Sequence, residues 1–127
     1  MRAKEYLLQY QRAEQEINRL LEERARWETL AGKVDSAPGG GGRRGTAAAR
    51  ILDLEREIDA KVDRLIGFRR EMEGVLSRLP NPREREVLLR RYVQGQGWEE
   101  VAEKMGITPR WTYQLHKNSL FSLERAL

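Results

Sequence analysis

Residues 98–117 read Trp98-Glu99-Glu100-Val101-Ala102-Glu103-Lys104-Met105-Gly106-Ile107-Thr108-Pro109-Arg110-Trp111-Thr112-Tyr113-Gln114-Leu115-His116-Lys117. Two helical patterns meet here at a single glycine. The first, Trp98 to Met105, starts after Gly97, with Glu100 available to its cap. Gly106 supplies the left-handed conformation that side-chain-bearing residues resist, and Ile107 completes the turn. Thr108 suits the N-cap of the second helix and Pro109 its first position, from which it runs toward Leu123. Ala102 is small enough to let the two helices approach. Val101, Ala102, Met105, Gly106, Ile107 and Leu115 therefore form the motif core of a helix-turn-helix.

The outer side of the second helix then carries the chemistry. Thr108, Arg110, Trp111, Tyr113, Gln114 and Lys117 are the candidate contacts to double-stranded DNA. Arg can read guanine bidentately and Gln can read adenine, while Thr108, Lys117 and backbone N–H groups can hold phosphates. Trp98 and Trp111 are expected to pack rather than to stack on bases, and His116 suits either a phosphate contact or the helix surface. Charge agrees with this placement. The formal net charge is +4, yet residues 1–37 carry seven basic and seven acidic side chains, as do residues 46–79. The excess lies in Arg43, Arg44 and residues 80–127, and Lys104 to Ser122 contains no acid at all. A local positive field of this kind is the footprint of a nucleic-acid surface.

Upstream, Leu79-Pro80-Asn81-Pro82 ends one helix and starts another. Asn81 is the N-cap, Pro82 the first position, and Glu84 stands where a capping box closes. This helix, Arg83 to Val93, is expected to bury Val87, Leu88 and Tyr92 with help from Leu89. Gly95-Gln96-Gly97 stops it.

The first 79 residues have a different character. Tyr6, Tyr10, Ala13, Ile17, Leu20, Arg24, Trp27, Ala31 and Val34 step by three and four. So do Ile51, Leu54, Ile58, Lys61, Leu65, Phe68, Met72, Val75 and Leu79. Both runs predict long amphipathic helices, over 3–34 and 47–79, each about 48 Å long. A flexible Gly-rich loop, 35–46, joins them and lacks the Gly-Lys-Ser/Thr ending of a phosphate cradle. Arg43 and Arg44 in that loop are further candidates for touching nucleic acid. The expected architecture is all-α: a long antiparallel, coiled-coil-like hairpin over 1–79, and a three-helix DNA-binding domain over 80–127.

Two helices cannot cover stripes widened by Leu7, Leu21, Leu30, Val62, Ile66 and Leu76. A second hairpin, giving a homodimer, or the C-terminal helices would cover the remainder, and the dimer is preferred. Arg24 and Lys61 interrupt the seam and are expected to snorkel or to pair with nearby Glu side chains.

One resemblance follows from these residues. Leu79-Pro80-x-Pro82-Arg83-Glu84-Arg85-Glu86-Val87-Leu88-x-x-Arg91-Tyr92-Val93-x-Gly95, followed by Trp98 to Ile107, resembles region 4 of bacterial sigma factors over roughly residues 79–120. The whole layout is also similar to small phage proteins of Gram-positive hosts with a sigma-region-4-like end. That resemblance implies a sequence-specific transcriptional regulator of the phage late-gene type, with host RNA polymerase as a further partner. Arg110 to His116 is closer to those proteins than to true sigma factors. Thr112 departs from the pattern, standing where such motifs bury a β-branched aliphatic residue, and no counterpart of the promoter-melting region is present.

Two other readings remain open, a DNA-packaging assembly protein of small-terminase type and a polymerase-binding module. Catalysis is not expected: there is no cysteine, one histidine and no nucleophile–base pairing. No metal or cofactor is expected either. Without a signal peptide or membrane span in the sequence, the expected location is the bacterial cytoplasm.

Overall fold

The computed structural model describes residues 2–35 and 41–127, with side chains described over 2–34 and 45–127. All regular structure among the described residues is helical: α1 (Arg2–Asp35), α2 (Gly41–Ser77), α3 (Pro82–Leu88), a π-helical turn (Leu89–Val93), α4 (Trp98–Met105) and α5 (Pro109–Ala126). Helices α1 and α2 pack as the expected hairpin, and the helix-turn-helix follows.

The loop expected over 35–46 is a correction. Asp35 still belongs to α1, and α2 already begins at Gly41. Glycine is a poor helix former, but Ala47-Ala48-Ala49 lies just inside, and extending an existing helix is far easier than nucleating one. Residues 36–40 lie outside the described residues. So do the side chains of Arg43 and Arg44, whose expected contact with nucleic acid therefore has no structural description.

The chain divides into two compact units, Ala13–Leu65 and Met1–Arg12 with Ile66–Leu127. Within Ala13–Leu65 the stripes meet: Ile17, Leu54 and Ile58 are buried, and Leu20, Trp27, Ala31 and Ile51 are half-buried. The polar seam residues find acids as expected. Lys61 Nζ pairs across the hairpin with Glu16 at 2.9 Å, and Arg24 lies 3.7 Å from Glu28 one turn on. The bond to Lys61, followed by its charge, pulls the Glu16 carboxyl below its usual range. Leu21, Leu30 and Leu52 stay 37%, 46% and 47% exposed.

The other unit has the larger core. Tyr6 and Tyr10 of α1 pack on Phe68 of α2, at 5.5 and 6.5 Å between ring centroids. Leu7, Met72, Leu76, Leu79, Val87, Leu88, Val101 and Leu123 are essentially inaccessible. Leu7 and Leu76 widen the stripes just as Leu21 does, yet they are buried in the unit that contains α3 to α5. Polar bonds tie the start of α1 there as well: Ala3 N donates to Glu124 of α5 at 2.8 Å, and Gln11 donates to the Arg91 carbonyl at 3.3 Å.

The cap of α3 forms as expected at Asn81, which accepts from Arg83 N at 2.9 Å, with Pro82 in the first turn. Glu84 does something else. Instead of closing a capping box it is 8% exposed and accepts the Ser122 hydroxyl at 2.8 and 2.9 Å, joining α3 to α5. The end of this helix also departs from the expected α-helix to Val93. Gln94 N bonds to the Leu89 carbonyl at 2.9 Å, five residues back. That wider turn lets the adjacent Tyr92 and Val93 both be buried, at 4% and 8% exposure. Gly95, at φ +70°, then reverses the chain.

Candidate nucleic-acid interface

Gly106 fixes the geometry of the interface. Its φ of 67° and ψ of 34° are left-handed, and Ile107 N closes the end of α4 on the Ala102 carbonyl at 3.0 Å. A Cβ on Gly106 would meet no atom within 4 Å, so the backbone conformation alone demands glycine. Two residues later Thr108 caps α5. Its hydroxyl accepts from Trp111 N at 3.1 Å, and its carbonyl accepts from both Thr112 N and the Thr112 hydroxyl at 2.9 Å. Thr112 is therefore buried at 1% exposure with its hydroxyl satisfied. A threonine replaces the usual aliphatic residue there without leaving an orphaned polar atom.

The six residues of the expected motif core differ in burial. Val101, Ala102 and Leu115 are buried, Met105 and Ile107 are half-buried, and Gly106 lies at the exposed turn. The candidate contacts fall on the other side. Thr108, Arg110, Gln114 and Lys117 are exposed, as are Trp111 at 55% and Tyr113 at 67%. Thr108, Arg110, Trp111 and Gln114 line one shallow depression at the start of α5. The first turn of α5 holds no acid, so the positive end of its dipole and Arg110 act together. Such a surface can hold phosphates and present hydrogen-bonding side chains to base edges.

The two tryptophans of the helix-turn-helix, Trp98 and Trp111, part company. Trp98 is a packing residue: the Arg91 guanidinium sits 4.5 Å over its ring, and His116 meets it edge-on at 4.5 Å. Trp111, expected to pack, is instead 55% exposed on the open face. His116 is neither a surface residue nor a charged phosphate contact. Its Nε2 lies 2.7 Å from the Tyr92 hydroxyl. Burial, then the charges of Lys4 and Arg91, push its pKa down to about 4, so the ring is neutral at pH 7. Arg91, Tyr92, Trp98 and His116 thus tie the π turn and α4 to the middle of α5. Nothing in their spacing announces this, because they meet only when three elements fold together.

Residues 69–110 match the family model for sigma-70, region 4. The match runs from the last turns of α2 through α3, the π turn and α4, and stops at the second residue of α5. The similarity is to a class of DNA-binding helix-turn-helix domain tied to transcription. No curated protein and no solved structure matches the chain. Among the described residues, no helix is long and apolar enough to cross a membrane.

Proposed function

We propose that this chain is a sequence-specific DNA-binding transcriptional regulator of phage or prophage type, acting in the cytoplasm of a bacterial host and catalysing no reaction. The observation that carries the reading is the row of exposed side chains on α5, Arg110, Trp111, Tyr113, Gln114 and Lys117, directly after a capped turn. In this reading α5 enters the major groove. Arg110 and Gln114 read base edges, Tyr113 and Trp111 fill apolar space, and Thr108 and Lys117 hold the backbone. Residues 80–127 are the DNA-binding part, and the hairpin of residues 1–79 brings two copies together through its exposed leucines.

The test is selection of bound fragments from the source genome at two salt concentrations. A short enriched site whose affinity falls with salt, as phosphate contacts require, is the expected result. No retained fragment even at low salt removes the reading. A ring of many subunits in light scattering would favour a packaging protein instead.

The extent of the family match favours a second reading. It covers α3 and α4 and stops at Arg110, before most of the open face of α5. A module that docks on RNA polymerase through α3 and α4 would show this pattern. Polymerase capture that survives nuclease treatment would support it, and capture lost with the DNA would not.

A further inference from the structure

On the open face of α5, Gln114 Nε2 donates to Asn118 Oδ1 across 3.2 Å, one helical turn further on. Both residues are exposed. Such a pair on a solvated helix adds little to stability, so its consequence lies in orientation. The Gln114 amide has two N–H donors and one carbonyl acceptor. With one N–H held by Asn118, the amide keeps one N–H and its carbonyl. In the major groove adenine presents an acceptor, N7, next to a donor, the N6 amine; guanine presents two acceptors, thymine one acceptor and a methyl group, and cytosine a donor. Only adenine matches the edge that Gln114 has left. Asn118 itself lies in the third turn of α5, beyond the N-terminal residues that reach base edges in this kind of docking.

We propose that Asn118 is a positioning residue that commits Gln114 to reading adenine. The proposal rests on the DNA-binding reading above and deepens it. Asn118 makes no base contact of its own; it removes one amide hydrogen from competition and holds the amide plane. The recognised site then contains an A·T pair whose discrimination depends on two residues acting as one.

The experiment is selection from a random duplex library with the full chain, alongside Gln114→Ala, Asn118→Ala and the double variant. The site enriched by the unaltered protein should contain a fixed adenine. Replacing that base by 7-deazaadenine, which lacks the N7 acceptor, should weaken binding about tenfold. Asn118→Ala should relax preference at that pair alone and leave affinity for unrelated DNA unchanged. In the Gln114→Ala background it should have no further effect. Gln114→Glu, whose carboxylate accepts from the cytosine amine, should move the preference away from adenine. A merely structural Asn118 would give a different pattern, with affinity for all DNA and thermal stability falling together. Alanine is the better helix former, so Asn118→Ala should unfold no earlier.

Losses that add in the double variant overturn the proposal, as does a fixed base other than adenine at the position sensitive to Gln114. If the unaltered protein enriches a site but that site ignores Gln114, only this inference falls. If it enriches none, the DNA-binding reading falls with it.

Discussion

The Tyr92 hydroxyl and His116 Nε2 are 2.7 Å apart, with the two rings stacked at 5.7 Å between centroids. Burial raises the pKa of the Tyr92 phenol, and burial with two nearby cations lowers that of His116. The neutral phenol and the neutral imidazole thus share one hydrogen bond, whose direction follows the imidazole tautomer. This bond spans the π turn and α5, and it holds the helix that carries the reading face.

His116 gives a pH dependence whose direction is set. Its folded pKa of about 4 lies below the ordinary histidine value of 6.5. Between those values the unfolded chain binds a proton that the folded chain refuses, so stability is present above pH 6.5 and declines as pH falls toward 4. As the only histidine in the sequence, it should show one imidazole NMR titration, with a midpoint near 4. A midpoint near 6.5 would contradict the buried neutral ring. His116→Gln should flatten the fall in Tm over the same window.

Gly106→Ala should destabilise the protein by about 1–2 kcal/mol in chemical denaturation, the cost of a left-handed alanine. Gly106→Asn should cost less, since asparagine tolerates that conformation. Equal losses would point to steric contact, which the open space around Gly106 argues against.

Ser122→Ala should cost about 1–3 kcal/mol, because it leaves the buried Glu84 carboxylate without its donor. Glu84→Leu combined with Ser122→Ala should recover part of that loss, since neither partner is then orphaned. Losses that simply add in equilibrium unfolding would refute the coupling.

Arg110 and Lys117 should separate in a salt titration of DNA binding. Arg110→Ala should cost about 1–3 kcal/mol on the selected site and relax one base pair. Lys117→Ala should weaken all sequences alike and lower the salt slope by about one. A uniform loss for Arg110→Ala would move that residue from base to backbone.

The proposed dimer places Leu21 and Leu52 between copies. Sedimentation equilibrium should show a dimer that Leu52→Glu, or Leu21→Glu, converts to a monomer with its helical signal kept. A monomeric unaltered protein would remove the dimer from the proposal.

What could be read before folding is what depends on residues close in the chain. The stripes at Tyr6 to Val34 and Ile51 to Leu79 gave the hairpin through helical periodicity. Asn81, Pro82, Gly106, Thr108 and Pro109 gave the caps and turns through local hydrogen bonds and backbone preference. The open row Arg110, Tyr113, Gln114 and Lys117 was legible for the same reason: once Leu115 is taken as core, helical geometry sends those side chains outward. Trp111, one turn before Leu115, was expected to pack, and its 55% exposure was not legible.

The sequence by itself thus determined helices, their boundaries to within a few residues except at the start of α2, and most of the face that α5 leaves to solvent. Tertiary structure decided the rest. The π turn exists so that Tyr92 and Val93 can be buried together. Glu84 turns from its own backbone to Ser122, 38 residues away. His116 loses its charge among Tyr92, Trp98 and Arg91, and Trp98 takes ring partners where Trp111 stays exposed. Each of these outcomes is set by desolvation and by donors brought from another element. Neither has a magnitude until the chain has folded.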